Sequence, residues 1–237
     1  MAAPKDPSER ISLQDVMEEL RRSGDPRNLE GMARFGIPAT FGNSIPQLRA
    51  VAKRIGRDHD MALALWATGV HEARILAAMV EDPKLVTEEQ AEAWVSDFDS
   101  WDLCDQCCSN LLDRTPFAWR KIREWTAREE EFVRRAGYVL IAVLAVHDKS
   151  APDSRFTELL PTIEGGATDP RNYVRKAVNW ALRQVGKRDI VLNQAAIECG
   201  ERLLLTGDRT ARWVATDALR ELRSPAVLER LSQRSTK

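Results

Sequence analysis

Four cysteines in 237 residues are too few for a disulfide scaffold. The expected compartment is therefore a reducing cytoplasm. Long apolar runs are missing as well. The longest, Ala136–Val146, is interrupted by Gly137 and is about half of the roughly 20 residues that cross a bilayer. Met1–Arg10 carries Lys5, Asp6, Glu9 and Arg10 and no apolar stretch, so no secretory signal is expected there, and these ten residues are expected to be flexible. No excess of one charge exists, since 35 Lys+Arg face 36 Asp+Glu for a net of −1. That balance argues against an indiscriminate polyanion binder. Alternating strand patterns, a glycine-rich phosphate loop, a Ser-His-Asp arrangement and HExxH are all absent.

What remains is an ordinary soluble composition, 43% hydrophobic and 30% charged, long enough to bury a sizeable core. One domain spanning 1–237 is expected. Apolar residues recur at helical spacing throughout. The spacing predicts helices over Ile11–Arg22, Pro46–Ile55, Asp60–Trp66, Glu72–Val80, Glu88–Phe98, Trp101–Leu112, Phe117–Ala127, Glu131–Val146, Ser154–Ile163, Arg171–Val185, Ile190–Leu204, Thr210–Leu222 and Ala226–Leu231. Prolines 83, 116, 152, 170 and 225 fall between these segments, where they interrupt no helical hydrogen bond. Thr87-x-x-Gln90 reads as a capping box. Gly165-Gly166 and Gly207 read as breaks after helices. Ser23–Ser44 is the least regular stretch.

Charge is uneven along the chain. Residues 1–119 hold 13 basic and 20 acidic side chains, and residues 120–237 hold 22 and 16. A nucleic-acid face would draw on the second half, although chance segregation gives the same sums. A weak repeat accompanies the change. Phe132-Val133-Arg134-Arg135-Ala136 resembles Tyr173-Val174-Arg175-Lys176-Ala177, and Trp213-Val214 follows at a similar interval. A period near 40 in an all-helical chain indicates stacked helix pairs of HEAT or armadillo type, whose second helices line a concave wall. The expected fold is an all-α, HEAT-like solenoid of antiparallel helix pairs with such a cleft.

Two segments concentrate chemistry. On Arg171–Val185, Val174, Val178, Ala181, Leu182 and Val185 share one helical face. Tyr173, Lys176, Trp180 and Arg183 share the opposite face, and Lys187 continues their line. An indole flanked by cations suits a phosphate, sugar or base. The same pattern also describes a Trp packed against a neighbouring helix with Lys and Arg stems around it. In Asp99-Ser100-Trp101-Asp102-Leu103-Cys104-Asp105, Ser100 can cap a helix that starts at Trp101. Trp101 and Asp105 then lie one turn apart on one face. A carboxylate beside an indole attracts a cation, while the acidic residues also satisfy a helix N-terminus. Cys104, Cys107 and Cys108 lack a second ligand pair at zinc spacing and read as small core residues.

These motifs together resemble the AlkD-like DNA alkylation repair family, the HEAT-like-repeat DNA glycosylases of bacteria. The resemblance runs from about Ile11 to Leu231. It rests on Ser100-Trp101-Asp102-x-x-Asp105, on Phe132–Ala136 and, most specifically, on Val174–Arg183. It implies removal of cationic N3- and N7-alkylated purines from duplex DNA without a base-flipping pocket. No cofactor or metal is implied, and a monomer is expected. By motif, Asp105, Trp101 and Trp180 are the implied catalytic residues, lining one cleft with Arg135 between them. Arg135, Arg183, Lys176, Tyr173, Lys187 and Arg49 are the expected DNA-binding residues. Some relatives carry two consecutive Trp where this chain has Ser100-Trp101. A helical-repeat module that holds distorted DNA or a protein partner without chemistry is the alternative, in keeping with a pI near 6.4. A purely protein-binding scaffold would require an apolar groove.

Overall fold

A computed structural model describes residues 11–235; the flexibility expected of residues 1–10 falls outside them. Among the described residues the chain is helix joined by short turns, with no strand. The helices are α1 (Leu13–Ser23), α2 (Pro26–Arg34), α3 (Ile45–Ile55), α4 (His59–Ala67), α5 (His71–Val80), α6 (Glu88–Ser96), α7 (Trp101–Asn110), α8 (Ala118–Thr126), α9 (Glu131–His147), α10 (Asp153–Thr157), α11 (Leu160–Gly166), α12 (Asn172–Gly186), α13 (Ile190–Leu205), α14 (Arg209–Leu222) and α15 (Pro225–Ser235). A 3-10 turn, Leu112–Arg114, follows α7. The chain divides into two compact units, residues 1–92 with 99–115, and residues 93–98 with 116–237.

In the first unit α5 is central, packing against α3, α4 and α7. Its Ala73, Ile75, Leu76, Ala77, Ala78 and Val80 are buried. Aspartates set helix starts, as where the Asp58 carboxylate accepts from the Met61 N–H at 3.0 Å. The irregular stretch Ser23–Ser44 contains α2, which the apolar spacing does not reveal. Asp25 caps it and Pro26 opens it, a strong local start signal. None of its residues is buried, so it carries no core stripe to read. The loop after it is pinned by Glu72, a buried carboxylate that accepts from the backbone N–H groups of Thr40 (3.0 Å), Phe41 (2.8 Å) and Gly42 (2.7 Å).

In the second unit α9 is the buried axis, with 12 of its 17 residues inside, which explains why it is apolar all round. Helices α8 and α12 pack on it. A Cβ at Gly137 would lie 2.7 Å from the Thr126 backbone nitrogen, so glycine lets α8 and α9 touch. The predicted helix Ser154–Ile163 is two helices, α10 and α11, because Pro161 stands in the first turn of α11 and can donate no bond to the helix before it. Gly165 and Gly166 close α11 rather than follow it. A Cβ at Gly166 would strike the Tyr138 hydroxyl at 2.1 Å, so close packing accounts for that glycine.

The 40-residue repeat is physical. Val133, Val174 and Val214 are all buried, on α9, α12 and α14. The aromatic residue before each faces the neighbouring repeat. Phe132 and Tyr173 rings lie 5.4 Å apart, and the Arg175 guanidinium sits 5.0 Å over the Trp213 ring. Buried polar side chains repeat the link, since Arg135 Nη1 donates to the Tyr173 carbonyl (2.6 Å) and Asn179 Nδ2 to that of Val214 (3.0 Å).

Candidate functional site

Within the first unit, α7 presents the Trp-Asp motif. Leu103, Cys104, Cys107 and Cys108 point into the core, which leaves Trp101, Asp102 and Asp105 half-buried on the other side. Trp101 is fixed by its indole N–H, which donates to the Phe35 carbonyl at 3.0 Å. Its edge donor is thereby used, and what it can offer a ligand is its π face. Asp105 follows one turn later and lies close enough to Cys108 that its charge helps raise that thiol.

Asp102 is anchored from below. His71, 5% exposed, donates from Nε2 to Asp102 Oδ2 at 2.9 Å. Burial works against a charged imidazole. The hydrogen bond and charge of Asp102, with Glu72 and Asp99 behind it, outweigh burial and raise the His71 pKa. His71 and Glu72 open α5, so one helical turn holds both the Thr40–Gly42 loop and the first turn of α7. Ser100 occupies the N-cap position, but its hydroxyl makes no capping bond; it is wholly buried and unpartnered. The Thr87 box is half formed. Thr87 Oγ1 accepts from Gln90 N at 3.1 Å, while the Gln90 side chain turns to Glu81. Arg49 is exposed on α3.

Within the second unit, α12 divides as its spacing predicts. Val174, Ala177, Val178, Ala181, Leu182 and Val185 are buried. Tyr173 and Trp180 are half-buried and Lys176 is exposed. The charges are less available than the sequence suggests. Arg183 Nη1 and Lys187 Nζ each donate to the Glu221 carboxylate at 2.7 Å. Burial disfavours that carboxylate, yet the bonds from Lys187 and Arg183 prevail and hold its pKa below the ordinary value. Arg135 is 5% exposed and bonded to the first turn of α12, which favours holding Tyr173 in place over gripping a phosphate directly.

The cysteines are core residues. All four are free and buried, and burial pushes the Cys107 and Cys108 thiols well up. Among the described residues, no group of three or more His, Cys, Asp or Glu side chains is arranged to hold a metal ion. None of the described helices is long and apolar enough to cross a membrane. Sequence reasoning missed His71, Glu72, the Phe35 carbonyl and Glu221. Each acts on a residue at least 30 positions away, and no short motif marks such partners.

This arrangement, an all-α chain of HEAT-like repeats with a half-buried Trp-Asp turn and a cationic aromatic helix, defines a class before it defines a family. Comparison with known proteins supplies the family. The DNA alkylation repair enzyme family matches residues 16–222, and the chain belongs to it. A solved structure described as "a new family of proteins related to the HEAT-like repeat DNA glycosylases with affinity for branched DNA structures" shares the fold. It has a TM-score of 0.73 and 22% identity, over 81% of this chain and 83% of that one. None of the curated proteins matches this chain.

Proposed function

We propose that this protein is a DNA glycosylase that hydrolyses the N-glycosidic bond of cationic N3- and N7-alkylated purines in duplex DNA. The observation that carries the reading is the Trp101–Asp105 turn. With its N–H held by Phe35, Trp101 presents a π face, the part of an indole that attracts positive charge. A purine alkylated at N3 or N7 is already cationic and a good leaving group. As its C1′–N bond breaks, the bond's electron pair goes to the base and positive charge develops on the deoxyribose. Cation–π attraction to Trp101 strengthens as that charge develops, and the Asp105 carboxylate stabilises it electrostatically. Asp105 also positions the water and takes its proton as the new C1′–O bond forms. The neutral base departs and an abasic site remains.

Trp180 offers DNA a second half-exposed indole, with Tyr173, Lys176, Arg183 and Lys187 in line beside it. Arg49 adds a contact from α3. Arg135 acts as a positioning residue through Tyr173. No step requires a metal or cofactor. We place the protein in the bacterial cytoplasm, on the nucleoid when acting, as a monomer. The test is single-turnover excision of N7-methylguanine from a duplex, scored as alkali-labile abasic sites. The parent should cleave. Asp105→Asn should fall by about 10³-fold, within the range seen for lost transition-state charge stabilisation, with duplex affinity changed less than about twofold.

A second reading has its own support. The chain has a net charge of −1, Glu221 neutralises two cations of the stripe, and a fold relative is described by its affinity for branched DNA. A module that holds branched DNA without chemistry predicts junction binding, no excision, and indifference to Asp105→Asn.

A further inference from the structure

Within the first unit, the start of α5 holds both ends of one hydrogen bond. That bond joins the Trp101 indole N–H to the Phe35 carbonyl at 3.0 Å. On the donor side, Trp101 opens α7, and the next residue, Asp102, is tied to His71. On the acceptor side, Phe35 ends α2. Asn28 of α2 donates from Nδ2 to the Gly42 carbonyl at 2.9 Å, and Glu72 grips the backbone from Thr40 to Gly42. His71 and Glu72 are consecutive and buried. The pose of Trp101 is therefore referred to a single buried helix start.

The two anchors differ in strength. Glu72 accepts from three backbone N–H groups. Asp102 relies on His71. Its Oδ2 meets His71 Nε2 at 2.9 Å, and its Oδ1 is buried without a hydrogen-bond partner. That one bond decides how firmly the first turn of α7 is held, and Trp101 and Asp105 with it. Between an imidazolium and a carboxylate such a bond is roughly twice as strong as between neutral groups. His71 Nδ1 is also buried without a partner, so an imidazolium is compensated from one side only and can give up its proton. Burial works against the charge, and Asp102, Glu72 beside it and Asp99 in the turn before α7 act in its favour. Arg74, one turn on, lies 5.3 Å over the Trp66 ring and acts on Cys107. Asp105, the other carboxylate of α7, acts on Cys108. The charged side chains of α1, α3 and α4 are either paired, as Arg54 is with Glu19 and His59 with Glu81, or exposed.

We propose that His71 is a positioning residue for the proposed excision, and that its protonated state sets the Trp101–Asp105 turn for the reaction. The proposal rests on the glycosylase reading above. His71 is 5% exposed and acts through Asp102, not on the substrate. As pH rises and His71 gives up its proton, the bond to Asp102 weakens to a neutral one. The first turn of α7 then loosens against the Phe35 segment, and excision slows.

The test measures single-turnover excision of N7-methylguanine at pH 6 and pH 9 for the parent and His71→Gln. The glutamine amide can donate where Nε2 does, without a charge. Comparing the two proteins at each pH cancels the titration of the substrate. The parent should be about fivefold faster than the variant at pH 6 and within about twofold of it at pH 9, the scale of a charge-assisted against a neutral hydrogen bond. Asp102→Asn removes the charge from the other partner and should show the same pattern, so the comparison survives if His71→Gln does not fold. A variant slowed by one factor at both pH values marks a merely structural histidine. That result overturns the proposal and leaves the glycosylase reading standing. In a second arm the Trp101 indole N–H resonance is followed against pH. In the parent it should move with the titration of the His71 imidazole, and in His71→Gln it should stay still. Movement that persists in the variant also overturns the proposal. A parent that excises nothing at either pH defeats the functional reading itself, and this proposal with it.

Discussion

The two candidate surfaces are built in opposite ways. Around Trp101 the neighbouring carboxylates Asp102 and Glu72, and the indole itself, are fixed by hydrogen bonds. Asp102 is tied to His71, Glu72 grips three backbone N–H groups, and Trp101 is locked to Phe35. On α12 the candidate side chains are cations and aromatic rings, and two of the cations, Arg183 and Lys187, are held by one acidic neighbour, Glu221. Rigid negative groups suit a site where positive charge develops, because a preorganised site does not reorganise during the reaction. Long cationic side chains suit a polyanion, whose phosphates vary in position and exchange freely with counterions. On the function proposed above, the difference assigns chemistry and grip to different structural styles within one chain.

That contrast can be broken from the rigid side first. Glu72→Ala leaves three backbone donors of the Thr40–Gly42 loop without their acceptor. It should cost about 3 kcal/mol of unfolding free energy, the scale of losing a buried charged hydrogen-bond centre, measured by urea denaturation. A loss below about 0.5 kcal/mol, typical of a surface change, would show that the loop does not depend on it. The next effect is pH-dependent. Because the fold raises the His71 pKa above 6.5, its stabilisation is complete below the unfolded value and disappears as pH rises through the folded one. His71→Asn should therefore lose more stability at pH 6 than at pH 9, by about 1 kcal/mol, the order of a charge-assisted hydrogen bond. Equal losses at both pH values would mean that the pair is not ionic. The smallest effect probes the flexible side. Glu221→Gln releases Arg183 and Lys187 and should tighten duplex binding about threefold with a steeper salt dependence, read by fluorescence anisotropy. Weaker binding would show instead that Glu221 holds the cations where the phosphates need them.

Much of this design was legible in one dimension. The buried face of α12, the half-exposed line from Tyr173 to Lys187 and the one-turn spacing of Trp101 and Asp105 all follow from helical geometry, which a periodic pattern encodes directly. The repeat of aromatic-Val positions was visible for the same reason. Helix α2 was not, because it buries no stripe. The anchoring of Trp101 was not, because its acceptor is a backbone carbonyl 66 positions away and any residue supplies one. Arg135 carries a bond that no motif marks. Its place in the sequence suggests a phosphate contact, and in the structure it is buried and donates to the Tyr173 carbonyl.

The buried cysteines carry a chemical consequence. Electrophiles that alkylate purine nitrogens also consume thiolates, and the thiolate form governs how fast a cysteine is lost. Cys107 and Cys108 are held protonated by burial, and Cys199 is pushed up to about 12. Cys104 is closed off with them. The chain therefore keeps its own thiols out of reach of the alkylating reagents whose damage its family repairs.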